Sequence, residues 1–181
     1  MFTSAFLTAQ LIGIIALLFS ITVFQLNERS KMLRLSMMAS ILYAVHFFLL
    51  GALTGAALNL ISALRSFCFF HLKPTTQQRH GILFTFIIFQ CAATALTWQG
   101  FVSVFALIAS ILSAYAAWHQ KPKQIRRWAL ASPPFYFVYD ALSQSYPGML
   151  VEIIIIFSNL VGEYRFDGRR HHDRIRLART A

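Results

Sequence analysis

Seven long apolar runs, at 4–25, 33–51, 54–72, 80–98, 100–119, 127–145 and 147–164, follow one another with only short polar breaks, and nothing else limits this chain so strongly. A helix rising about 1.5 Å per residue needs about 20 such residues to cross the ~30 Å hydrocarbon layer of a bilayer. Each run meets that length approximately. A small globule in water keeps much of its surface wet. A chain of 181 residues with 57% hydrophobic and 12% charged side chains has too little polar surface for that. The sequence therefore predicts an all-α integral membrane protein of seven transmembrane helices, with no room for a soluble domain.

The basic residues confirm this reading by where they fall. A net charge of +10 would suit nucleic acid if it formed a soluble stripe. Instead the charges sit in short clusters between apolar runs. The breaks Asn27 to Arg34, His71 to His80 and Lys121 to Arg127, with the tail from Arg165 to Ala181, carry every Lys and Arg except Arg65. The alternate breaks, Gly51 to Gly55, Trp98 to Phe101 and Gln144 to Gly148, carry none. Under the positive-inside rule the first set is cytoplasmic, which places the N-terminus outside and the C-terminus inside. The first run lacks a charged n-region and a cleavage pattern and reads as a retained span. The expected surroundings are lipid, with anionic lipid at the cytoplasmic face, and no nucleic acid.

Several chemistries find no support. Cys68 and Cys91 belong to no set of Cys and His large enough to hold a metal, so neither a metal site nor a disulfide framework is signalled, and both read as packing residues. No metalloprotease or nucleophile-elbow motif occurs, and no lysine lies within a span to form a Schiff base. No cofactor and no enzymatic activity are expected.

An internal repeat organises the chain. Displaced by 93 residues, the first three spans align with the last three without a gap, from Ile15 on Ile108 to Ser66 on Asn159. Identical pairs include Ile15 with Ile108, Ala16 with Ala109, Ser20 with Ser113, Arg34 with Arg127, Tyr43 with Tyr136, Leu49 with Leu142 and Gly55 with Gly148. The expected architecture is two parallel three-helix bundles, 4–72 and 100–164, joined by a linker span at 80–98 and followed by a basic cytoplasmic tail at 165–181. Such repeats are related by an axis along the membrane normal.

Ionisable and amide groups inside hydrocarbon are costly unless they face a cavity or a partner. The candidates are His46, Asn59, Arg65, Asp140, Glu152 and Asn159. Asn59 and Glu152 coincide under the repeat, so an axis between the bundles would bring them to equal depth on facing helices. They read either as a site for a small polar solute or proton or as interhelical hydrogen-bonding glue. Asn159 lies two turns beyond Glu152 on the same face, continued by Glu163, and Ser66 stands likewise to Asn59. His46 and Asp140 could form a proton-sensitive pair, or Asp140 could sit in outer interfacial water. Arg65 is expected to snorkel to the cytoplasmic headgroups, with an ion pair to Glu163 as an alternative.

Pro133 and Pro134 interrupt the sixth run and mark a hinge or a kink. Trp98, Trp118 and Trp128 fall at span ends, where tryptophan anchors in the headgroup layer. The tail segment Arg169 to Arg174, with His171 and His172, reads as a topology-fixing basic stretch rather than a metal site.

These residues carry a family resemblance. Ala9-Gln10-Leu11-Ile12-Gly13, the run His46 to Gly51, then Gly55, Asn59 and Arg65, and Glu152 with Asn159, resemble the bacterial YgjV inner-membrane proteins over roughly residues 7 to 165. In architecture that family is similar to the SWEET and PQ-loop transporters, which implies the 3+1+3 helix plan. In SWEETs an asparagine from the third helix of each bundle faces the sugar. The resemblance implies Asn59 for that role in the first bundle, and Glu152 stands where the second would be. The proline-glutamine turns of SWEETs are missing, and no proline occurs in the first, second or fifth span.

Two functions are therefore expected to compete. One is a small polar-solute transporter or facilitator with its pocket between the bundles, working by alternating access. The other is a non-transporting multi-pass protein, a ligand receptor or assembly partner, whose buried polar groups only hold helices together. A homo-oligomer is compatible with either.

Overall fold

The protein is described by a computed structural model covering residues 4–71 and 75–165. Among these residues every regular element is helical: α1 (Ser4–Phe24), α2 (Arg29–Leu49), α3 (Leu53–His71), α4 (Thr76–Leu96), α5 (Val102–Trp118), α6 (Pro122–Ala129), α7 (Pro133–Leu142) and α8 (Tyr146–Glu163). Helices α1, α2, α3, α4 and α8 are long and apolar enough to cross a membrane, and α5 is a shorter apolar helix of the same kind. Of the tail expected at 165–181, residues 166–181, with the histidine pair, lie outside the described residues.

One expected span is two helices. The sixth run, 127–145, is divided between α6 and α7, and at about 1.5 Å per residue neither piece crosses a bilayer alone. Pro133 and Pro134 cause the break: neither can donate to the helix ladder, and both open α7 at its first turn, where a missing N–H is tolerated. The preceding chain tightens into bonds from Leu130 N to Arg127 O and from Ala131 N to Trp128 O. Ser132 Oγ donates to Ala129 O at 3.2 Å, occupying a carbonyl that the prolines leave without its amide.

At the other end, α4 starts earlier than expected because Thr75 caps it. Thr75 N donates to Gln78 Oε1 at 2.9 Å, and Gln78 N donates to Thr75 Oγ1 at 3.4 Å, a complete capping box.

Packing closes a ring. Helix α1 lies against α2, α2 against α3, α3 against α5, α5 against α7, α7 against α8, and α8 against α1; α6 touches α5 and α8. Helix α4 packs on α3 and α5, outside the ring. A displacement of 93 residues carries each ring contact onto another, since α1·α8 becomes α5·α3 and α2·α3 becomes α7·α8.

The same turn is also built twice. After α2, Leu50 N, Gly51 N and Ala52 N donate to His46 O, Phe48 O and Phe47 O; after α7, Ser143 N, Gln144 N and Ser145 N donate to Tyr139 O, Ala141 O and Asp140 O. Both are Schellman stops, which need a residue in the left-handed region. Gly51 holds it at φ 74° and Gln144 at φ 55°.

Candidate functional site

Inside the ring lies a cavity of about 170 Å³. Its wall draws on all of the ring helices and on none of α4. Much of the wall maps onto itself under the repeat. Ser20 and Ser113, Met32 and Ile125, Tyr43 and Tyr136, and Asn59 and Glu152 are offset-matched pairs of which both members line it. Ser36 with Ala129, Phe47 with Asp140 and Ser62 with Ile155 do the same. The cavity is therefore walled in large part by side chains that stand 93 residues apart in the chain.

Asn59 and Glu152, paired in sequence, thus face one cavity. Asn59 is half-buried on α3 and its Nδ2 donates to Gly55 O at 2.9 Å, one turn back on its own helix. Glu152 on α8 is 8% exposed, and its Oε2 has no hydrogen-bond partner.

Asp140 joins them from α7. It is 2% exposed rather than placed in interfacial water, its Oδ1 has no hydrogen-bond partner, and it lies within electrostatic reach of Glu152. Gly148 allows this approach: a Cβ there would lie 2.6 Å from Asp140 Cγ and would collide with Ser145 Oγ. Tyr43 and Tyr136 flank the pair, each close enough to feel the charge on both carboxylates.

Arg65 corrects an expectation. It does not snorkel, being 3% exposed and part of the cavity wall, with Nε and Nη1 lacking hydrogen-bond partners. Nor does it pair with Glu163, whose Oε1 binds Arg127 Nε at 2.7 Å. The signal was present in α3: Asn59, Ser62 and Ser66 form a helical stripe with Arg65 beside it, and all four line the cavity.

His46 and Asp140 are not bonded to each other. The His46 ring is wholly buried, with Nδ1 2.7 Å from Ala9 O and Nε2 2.8 Å from Ser145 Oγ. Because a carbonyl only accepts, Nδ1 donates, and in the neutral ring Nε2 accepts from the Ser145 hydroxyl. That hydroxyl oxygen in turn accepts from Gly148 N at 3.2 Å, capping α8. Tyr139, the offset-match of His46, acts likewise on α3: its Oη accepts from Gly55 N at 2.7 Å. His46 therefore ties helices together at one end of the ring and is not part of the cavity wall.

Asn159 is also outside the wall. It is 1% exposed and its Nδ2 donates to Ile155 O at 3.1 Å. Of the tryptophans, Trp98 and Trp128 are exposed, while Trp118 is half-buried against Tyr115 and His80, with Arg79 over its ring. Cys68 and Cys91 are free, and among the described residues no group of three His, Cys, Asp or Glu could hold a metal.

No curated protein and no solved structure matches the chain. A family model described as a bacterial inner membrane protein, Imp-YgjV, matches residues 7–170, nearly the whole length. The chain is accordingly a multi-pass helical protein of the bacterial inner membrane and belongs to the YgjV family.

Proposed function

We propose that this protein carries a small polar solute across the inner membrane, binding it in the cavity between two repeated three-helix units. One unit is α1 to α3. The other is α5 with α6–α7 as a single broken span and α8, and α4 is the linker that lets both units enter the membrane from the same side. Seven crossings follow, with the N-terminus in the periplasm and the basic breaks in the cytoplasm, in keeping with the positive-inside rule.

The observation that carries this reading is that Asn59 and Glu152, far apart in sequence but matched by the repeat, line one cavity. Buried polar atoms without partners cost free energy, and Glu152 Oε2 and Asp140 Oδ1 are such atoms. A solute supplying donors would offset that cost. The break at Pro133 and Pro134 gives the second unit a place to bend during alternating access. Uptake of labelled solutes into proteoliposomes tests this: Glu152→Gln and Asn59→Ala should each reduce transport sharply, and unchanged uptake in both would count against the pocket.

One observation favours a non-transporting receptor or assembly partner instead. Some buried polar groups do hold helices together, His46 through Ser145 and Tyr139 through Gly55. In that reading Asn59→Ala loosens the fold, and no solute raises the melting temperature of the solubilised protein.

A further inference from the structure

The cavity is nearly symmetric in shape but not in charge. Each charged residue in its wall has an uncharged counterpart under the repeat: Asp140 answers Phe47, Glu152 answers Asn59, and Arg65 answers Ser158. Both carboxylates therefore come from the second half and the guanidinium from the first.

They also differ in depth. Arg65 is six residues beyond Asn59 on α3, or about 9 Å further along the helix axis. On α7, which runs the opposite way, Tyr136 precedes Asp140 by one turn, about 6 Å. Tyr136 lies within electrostatic reach of Arg65, Asp140 and Glu152 alike. No ion pair joins Arg65 to either carboxylate, and Arg65 Nε and Nη1, Asp140 Oδ1 and Glu152 Oε2 all lack hydrogen-bond partners.

Arg65 keeps its charge when buried, whereas neighbouring buried acids can give theirs up by taking protons. A neutral solute or a simple cation would leave Arg65 uncompensated, and a simple anion would bring no donor to Asp140 Oδ1 and Glu152 Oε2. A ligand bearing both charges answers every group with the acids ionised.

Resting on the transport reading above, we propose that the cavity takes a small zwitterion, its ammonium at Asp140 and Glu152 and its carboxylate at Arg65. The space fits: a cavity of about 150 Å³ accommodates benzene, so 170 Å³ suits a ligand of about six to ten heavy atoms. An amino acid with one to three carbons between its charges has that size.

The test is binding to the purified full-length protein by calorimetry and thermal shift, with alanine, β-alanine, ethylamine, propionate and glucose as probes. Alanine or β-alanine should bind at least about tenfold more tightly than ethylamine or propionate, and glucose not at all. Arg65→Gln should remove the advantage of the zwitterion over ethylamine, and Glu152→Gln should weaken both. The wild-type comparison needs no variant, so it decides even if Arg65→Gln fails to fold. Preference for glucose or for propionate, or equal affinity for alanine and ethylamine, overturns the proposal, as does binding of none. Counterflow in proteoliposomes separates the two readings. A zwitterion that binds without being carried sinks transport alone, whereas carriage of a neutral solute with no zwitterion binding sinks the zwitterion alone.

Discussion

His46 on α2 and Tyr139 on α7 stand 93 residues apart in the chain, and each reaches the start of another helix, His46 that of α8 and Tyr139 that of α3. Tyr139 Oη accepts from Gly55 N at 2.7 Å in the first turn of α3, and His46 Nε2 meets Ser145 Oγ, the cap of α8, at 2.8 Å. Two hydrogen bonds, from α2 to α8 and from α7 to α3, thus tie the ring at the end whose connecting breaks carry no Lys or Arg.

Tyr139→Phe removes the acceptor but keeps the ring that packs on Phe47. The first amides of a helix have no partner within it, so Gly55 N is left buried and unpaired. A loss of about 1–3 kcal/mol is expected in detergent unfolding titrations.

Gln144 holds the left-handed conformation that Gly51 holds in the matching turn. A side chain there costs about 1–2 kcal/mol. Gln144→Gly should therefore raise stability by about 1 kcal/mol, since its carbonyl, which accepts from Gln10 Nε2, is kept. Gly51→Ala should lower stability by a similar amount, and a lower melting temperature for Gln144→Gly would contradict the shared turn.

Gly148→Ala and Gly81→Ala differ in surroundings and should differ in sign. At Gly148 the added carbon meets Asp140 and Ser145, and a loss of about 1–3 kcal/mol is expected from overpacking. At Gly81, inside α4, nothing lies within 4 Å of that carbon, so the change should be neutral or stabilising by up to about 1 kcal/mol. Paired melting curves of the two variants check this.

The residues legible in the sequence were those whose signal survives without knowing how a helix is rotated. Apolar length marked the long helices, and one offset matched Asn59 with Glu152, which do share a cavity. Rotation was harder to read. Arg65 has a stem long enough to reach lipid headgroups or to turn inward, and only the packing of α3 between α2 and α5 decides it. His46 and Asp140 are one step out of register, and a step of one residue turns a helix by about 100°. That turn sends Asp140 to the cavity and His46 to Ser145. The α6–α7 break was visible as two prolines, but whether a proline pair bends a helix or ends it depends on how neighbouring carbonyls are satisfied, here by Ser132.

Surface charge should matter little. Arg127 and Glu163 form an ion pair at 2.7 Å, but Arg127 is more than half exposed. Arg127→Ala is expected to change stability by less than about 1 kcal/mol and to leave solute uptake unaltered. Arg65→Ala, which deletes a buried guanidinium from the cavity wall, should alter both.

The most direct measurement is thiol labelling in membranes, after replacing the free Cys68 and Cys91. Asn59→Cys and Glu152→Cys face the cavity, while Leu60→Cys and Ile153→Cys, each one residue further along the same helices, sit at exposed apolar positions. A small charged methanethiosulfonate should modify the first two quickly and the second two slowly, because only a water-accessible wall ionises a thiol. Fast labelling at Leu60→Cys and Ile153→Cys, with protection at Asn59→Cys and Glu152→Cys, would contradict a polar cavity between the halves.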